Sequence, residues 1–201
     1  YSATNVVIPA TITDSVGLTH QVVAIGNGAF SGCDNLTSVI IPNTIITIGS
    51  SAFWECVNLS NVIIPNSVTH IGERAFFHCH SFTMISIPSS VIQIGDEAFC
   101  RCHGATTLNY NVEQHSDFNK RFEYCYFKTI NIGDSVKRLP VKFAFNQDSL
   151  TTVNFSNNLK YISNSAFMSC DALTSIVIPN SVDSIGAISY FAVNGAFEKC
   201  S

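Results

Sequence analysis

The sequence predicts a single solenoid of stacked coils, each about 23 residues long and each contributing short strands. Three observations carry that prediction. Cys33, Cys56, Cys79 and Cys102 are each 23 residues apart, and Phe30, Phe53, Phe76 and Phe99 keep the same step. Gly26, Gly49, Gly72 and Gly95 share it, as do Pro42, Pro65 and Pro88. Apolar residues come in short clumps such as Val39-Ile40-Ile41 and Val62-Ile63-Ile64. Self-similarity at a period of this length is the mark of a repeat architecture, in which one coil cannot cover its own apolar face but stacked neighbours can.

Each column of the repeat has a physical role. The stretch from Leu36 to Ile41 alternates, with Leu36, Val39 and Ile41 facing inward and Ser38 and Ile40 facing out, which is strand periodicity. Pro42 lacks an N–H and ends the ladder. Asn43, Asn66 and Asn180 suit the turn that follows. The Ile48-Gly49 type of pair reads as a second short strand ending in a bend where glycine admits a positive φ. The Ala52-Phe53-x-x-Cys56 stretch has helical spacing but little length, which predicts a 3₁₀ or single α turn. The phenylalanines are expected to stack as a spine.

Eight units account for residues 1–201 as one domain, with irregular units at 1–35, 105–126, 127–149 and 173–201. In the fifth unit Ala144-Phe145 reads as a pair shifted by one residue, and Asp148 as the replacement for the cysteine. An opening half-unit holds Val6-Val7-Ile8-Pro9, with about ten added residues before Ile25-Gly26. The last unit ends at Cys200-Ser201, leaving room for truncation or an end-to-end homo-oligomer.

Composition narrows the function classes. Hydrophobic residues make up 46% of the chain and charged residues 12%, against a usual charged share of about 25%. That is too apolar for disorder. No apolar run nears the roughly 20 residues of a membrane-spanning helix. The net charge of -4 gives no global reason to bind nucleic acid.

The pattern Leu-x-x-(Val/Ile)-x-Ile-Pro-x-x-(Val/Ile)-x-x-Ile-Gly-x-x-Ala-Phe-x-x-Cys resembles the BspA-like, or Treponema pallidum-type, class of leucine-rich repeats. The resemblance covers essentially residues 5–201. It implies a leucine-rich-repeat solenoid with a curved parallel β-sheet on the concave side and short strands and turns on the other. It also implies an extracellular or cell-surface protein that adheres to host or matrix proteins such as fibronectin, without catalytic residues or a cofactor.

Candidate functional residues follow from the columns. The outward positions Ser38, Ile40, Asn61, Ile63, Met84, Ser86, Asn109, Asn131 and Asn154 form a nearly uncharged strip, and a curved repeat array offers such a strip as an extended binding surface. Six of the ten Lys and Arg residues, Lys120, Arg121, Lys128, Lys137, Arg138 and Lys142, fall within 120–142. Such a cluster could attract an acidic partner or a sulfated glycan; a solvated face is the plainer reading. A structural spacer is a further alternative to adhesion.

Other constellations carry less. Seven of the eight cysteines occupy one column and are read as buried free thiols, with Cys100 or the chain ends as the places for any disulfide. His78, Cys79 and His80 lie one repeat before Arg101, Cys102 and His103, which stacks His80 beside His103. Imidazole with thiolate is a zinc-like set, yet Cys79 and Cys102 belong to the packing column, so solvated histidines without a metal are expected. Glu113, His115 and Asp117 alternate in the fourth unit but match no catalytic motif.

Overall fold

The structure, a computed structural model, describes residues 4–113, 121–186 and 195–200. It is a parallel β-solenoid of about seven turns with ~23-residue spacing. The strands of the first half are β1 (Asn5–Val7), β2 (Thr11–Thr13), β3 (Thr19–Gln21), β4 (Ala24–Ile25), β5 (Ser38–Ile40), β6 (Thr47–Ile48), β7 (Asn61–Val62), β8 (His70–Ile71), β9 (Met84–Ile87) and β10 (Gln93–Ile94). Those of the second are β11 (Thr107–Tyr110), β12 (Thr129–Ile132), β13 (Arg138–Leu139), β14 (Thr152–Asn154), β15 (Tyr161–Ile162) and β16 (Ser184–Ile185).

Strands lie along two sides of the stack of coils. On the concave side, β1-β5-β7 form one parallel sheet and β9-β11-β12-β14 another. On a second side, β4-β6-β8-β10 and β13-β15-β16 do the same. Register follows the repeat, with Ser38 opposite Asn61 and Met84 opposite Thr107, then slips to a 22-residue step between Thr107 and Thr129. The eighth Leu-x-x-Val-x-Ile segment, within 173–178, carries no strand. The added residues near the start form an antiparallel hairpin of β2 and β3. Asp14 holds its tip, accepting hydrogen bonds from the Val16 and Leu18 amides at 3.0 and 2.9 Å.

The core is one continuous cluster. Phe30, Phe53, Phe76 and Phe99 stack at centroid spacings of 5.1 Å, with interplanar angles of 10° or less. The cysteines are all free. The thiols of Cys56, Cys79, Cys102 and Cys125 donate to the phenylalanine carbonyl of the preceding coil, as Cys79 does to Phe53 at 3.2 Å and Cys102 to Phe76 at 3.2 Å. Burial pushes the Cys56 thiol up to about 12 and the Cys79 thiol well above its ordinary value.

Three readings of the repeat are corrected by its geometry. The Ala-Phe-x-x-Cys stretch makes turns but no helix: the Ala52, Trp54 and Cys56 amides donate three residues back at 3.1–3.3 Å, and no helix occurs among the described residues. Left-handed residues interrupt it every fourth position, as at Ser51 and Glu55 (φ 54° and 55°) or Glu97 and Arg101 (φ 55° and 61°). Alternate amides then point along the stacking axis. Ser51, Phe53 and Glu55 donate to the carbonyls of Glu73, Ala75 and Phe77 at 2.7–2.8 Å. Backbone donors that a helix would satisfy internally are satisfied by the next coil.

The glycines of the Ile-Gly column do not owe their presence to a positive φ. A Cβ on Gly72 would lie 2.5 Å from the Ser50 nitrogen and 2.6 Å from the Gly49 carbonyl carbon. Close approach of successive coils, not turn conformation, excludes a side chain at Gly49, Gly72 and Gly95. Gly186, with φ +85°, is the member that keeps the left-handed role.

The fifth unit is not a shifted Ala-Phe pair. The Ala144 amide donates to Ala166 O at 2.7 Å, as Phe53 does to Ala75, so Ala144 stands in the phenylalanine column and Phe143 in the alanine column. The two residues have exchanged places. Phe143 fills the gap from the side, 4.9 Å from Tyr110 and 6.2 Å from Phe167. The cysteine's replacement is Gln147 rather than Asp148. Buried Gln147 donates from Nε2 to Phe122 O at 3.4 Å and accepts from the Phe127 amide at 3.3 Å.

Candidate concave binding face

The parallel register makes columns out of strand positions. One outward column runs Val7, Ile40, Ile63, Ser86, Asn109, Asn131, Asn154 and Val177. Strand pairing fixes Val7 opposite Ile40, Ser86 opposite Asn109, Asn109 opposite Asn131 and Asn131 opposite Asn154. The column changes character along its length. Val7, Ile40 and Ile63 are 68%, 61% and 76% exposed, an apolar stripe on a sheet face.

Beyond Ile63 the same column becomes a ladder of amides. Asn109 Nδ2 donates to Ser86 Oγ at 2.9 Å, Asn131 Nδ2 to Asn109 Oδ1 at 2.7 Å, and Asn154 Nδ2 to Asn131 Oδ1 at 2.7 Å. Each rung uses one donor or acceptor of a side chain that offers several, so the remaining amide groups are held in a fixed orientation toward the groove. Met84, in the neighbouring outward column, has its sulfur 3.0 Å from Asn109 Nδ2. Ser38 donates to Asn5 Oδ1 at 2.6 Å. The Asn61 backbone pairs with Ser38, while its side chain lies outside the described part.

Where stripe and ladder meet there is a cleft of about 530 Å³. Ile63 and Met84 form its apolar end, and Ser86, Asn109 and Asn131 its polar floor. Asn66, Asn111 and Gly133 complete the edge along the turn. No charged side chain lines it among the described residues. Five of the nine concave residues singled out by pattern, Ile63, Met84, Ser86, Asn109 and Asn131, therefore line one cleft. Ser38 and Ile40 lie beside it on β5, and Asn154 extends the ladder on β14. Sequence pattern places these side chains outward, but not the hydrogen bonding between them, which needs the inter-coil register.

Among the described residues the basic segment does not form one patch. Arg121 is buried, not surface-exposed, because it occupies the alanine column of the fourth coil, and its guanidinium hydrogen-bonds Tyr110. Lys128 precedes β12 on the concave side, Lys137 and Arg138 lie on the second side, and Lys142 is at a left-handed turn (φ 57°). Arg138 and Lys142 rest over the rings of Tyr161 and Phe145 at 5.3 and 5.4 Å. Lys120, His115 and Asp117 lie outside the described residues; Glu113 is exposed.

The histidines gather more closely than sequence spacing shows. His78 and His80 have centroids 4.0 Å apart, and His80 and His103 5.0 Å. Partial burial first, and the neighbouring His and Arg charges second, lower the basicity of His80 and His103. Cys79 and Cys102 point their thiols into the core. Among the described residues no group of three His, Cys, Asp or Glu side chains could hold a metal ion.

The family description "BspA type Leucine rich repeat region (6 copies)" matches residues 9–121 and 115–201. A leucine-rich repeat protein from Eubacterium ventriosum is similar with TM-score 0.64 and 24% identity, covering 80% of this chain. The chain spans 42% of that protein. The leucine-rich repeat protein of T. pallidum is similar with TM-score 0.54 and 21% identity, covering 87% of this chain and 80% of that one. No curated protein matches. With the repeat matched across nearly its whole length and the coils stacked in the register that the repeat demands, the chain belongs to the BspA-type leucine-rich repeat family.

Proposed function

We propose that this chain is a non-enzymatic module, displayed at a cell surface or secreted, that captures an extracellular host or matrix protein on its concave face. The observation that carries the reading is the uncharged cleft at the junction of apolar stripe and amide ladder. Membership of a leucine-rich repeat family supports protein binding as the general role. The chemistry defines what fits: a partner segment that buries an apolar side chain against Ile40 and Ile63 and meets the amides with its own backbone or uncharged side chains. Burial of such isoleucines contributes about 1.5–3 kcal/mol each, and oriented amides add specificity through groups that must not be left unpaired.

A cleft without charge gives binding with weak salt dependence, since screening acts on exposed charges. The test measures association with immobilised fibronectin, laminin and collagen across about 0.05 to 0.5 M salt. At least one should bind, with little change across that range, and lose tenfold or more on Ile63→Asp. Ile63 is 76% exposed, so this variant should keep its melting temperature. Binding that ignores Ile63→Asp and Asn131→Ala would refute the concave reading.

A further inference from the structure

A second pocket, of about 430 Å³, lies on the turn edge of coils one to four, away from the concave strands. Trp54, Phe77 and Tyr124 supply aromatic surface, and Arg74, Arg101, Glu97 and Glu123 supply planar polar groups. We propose that this pocket is a separate binding site for a neutral saccharide.

Four features carry the proposal. First, the fold does not require the aromatics. The column of Trp54 and Phe77 takes Ser31, Cys100, Glu123, Phe145, Met168 and Glu198 in other coils. Tyr124 is 53% exposed at a left-handed position (φ 58°). The same left-handed position takes Gly32, Glu55, His78, Arg101, Asn146 and Ser169 in other coils, so the backbone selects no aromatic there. An exposed aromatic there needs a reason other than folding.

Second, the charged groups are already oriented. Arg74 Nε donates to Glu97 Oε2 at 2.6 Å, and Arg74 Nη1 lies 3.3 Å from Glu73 Oε1. The Arg101 guanidinium sits between rings, 5.8 Å from the Phe77 centroid and 5.5 Å from that of Tyr124. Third, the lining balances two guanidiniums against two carboxylates, so it favours neither an anion nor a cation. Fourth, that combination matches a sugar, whose apolar ring face packs on aromatic surface while its hydroxyls both donate to carboxylates and accept from guanidiniums.

The chain's one tryptophan, Trp54, lies in this pocket and reports on it directly. The experiment titrates the protein with neutral tetrasaccharides of glucose, mannose, galactose and N-acetylglucosamine while following tryptophan emission. At least one should shift or quench the emission with saturation. Tyr124→Ala and Arg74→Gln should each weaken that sugar tenfold or more at unchanged melting temperature, while Asn131→Ala on the concave face leaves it unaltered. Silence of all four sugars overturns the proposal, as does binding indifferent to Tyr124→Ala. Saturable binding of a tetralysine peptide with no sugar response would overturn it in favour of a cationic peptide site.

Discussion

The first three full coils and the two that follow reach the same backbone path by different packing. From Phe30 to Phe99 the spine is a file of parallel rings 5.1 Å apart, with a thiol donating to each passing carbonyl. From Tyr110 to Phe167 the file breaks. Tyr110 and Phe143 fill from the flank, Gln147 stands in for cysteine, and Arg121 is buried where alanine is usual. The concave face changes at nearly the same place, from Ile40 and Ile63 to the amide ladder. The comparison teaches that the repeat constrains the hydrogen bonds between coils more tightly than it constrains the side chains that fill them.

The largest expected effect tests the regular spine. Phe76→Ala should destabilise the protein by about 3–5 kcal/mol in denaturant unfolding, because rigid neighbouring coils leave a cavity. A loss below about 1 kcal/mol would mean that the file repacks as freely as the irregular coils do. Next comes the glycine column. Gly72→Ala forces a Cβ against backbone and should cost about 1–3 kcal/mol, whereas Gly26, with open space around its Cβ position, should tolerate alanine with little change. Equal melting temperatures for these two variants would show that coil spacing is not what excludes a side chain.

In the irregular half, Gln147→Ala strips a partner from both Phe122 O and the Phe127 amide and should cost about 1–3 kcal/mol. Gln147→Cys restores only the donor and should recover part of that loss; thermal unfolding of the pair decides. The smallest effect is electrostatic. His80 and His103 titrate below their ordinary value when folded, so the folded state binds fewer protons. Their contribution is complete above the unfolded histidine range, about pH 6.5, and declines as pH falls through and below it. Glu55 opposes this by favouring His80 protonation, whereas Arg101 and His78 reinforce it. Melting temperature measured from pH 7.5 to 5 should fall less in His80→Asn/His103→Asn than in the parent. Identical slopes would remove the histidines from the pH response.

Strand positions and the spine were legible because they depend on spacing alone. Alternation from Leu36 to Ile41 separates inside from outside, and one ring per 23 residues must stack once coils lie in register. Gln147 and the Phe143-Ala144 exchange were not legible, since a one-residue shortening changes which side chain enters which column and only the inter-coil hydrogen bonds reveal the new alignment. Arg121, one 23-residue step beyond Ala98, was legible from spacing alone. The amide ladder was legible as outward residues but not as a connected row.

By itself, the order of residues determined the period, the fold class and the face that each strand turns to solvent, because those follow from local alternation and repetition. The tertiary structure alone decided why glycine occupies its column, how three histidines from adjacent coils come together, and where stripe and ladder enclose a cleft. These are properties of neighbouring coils about one strand spacing apart, a distance that no single repeat contains.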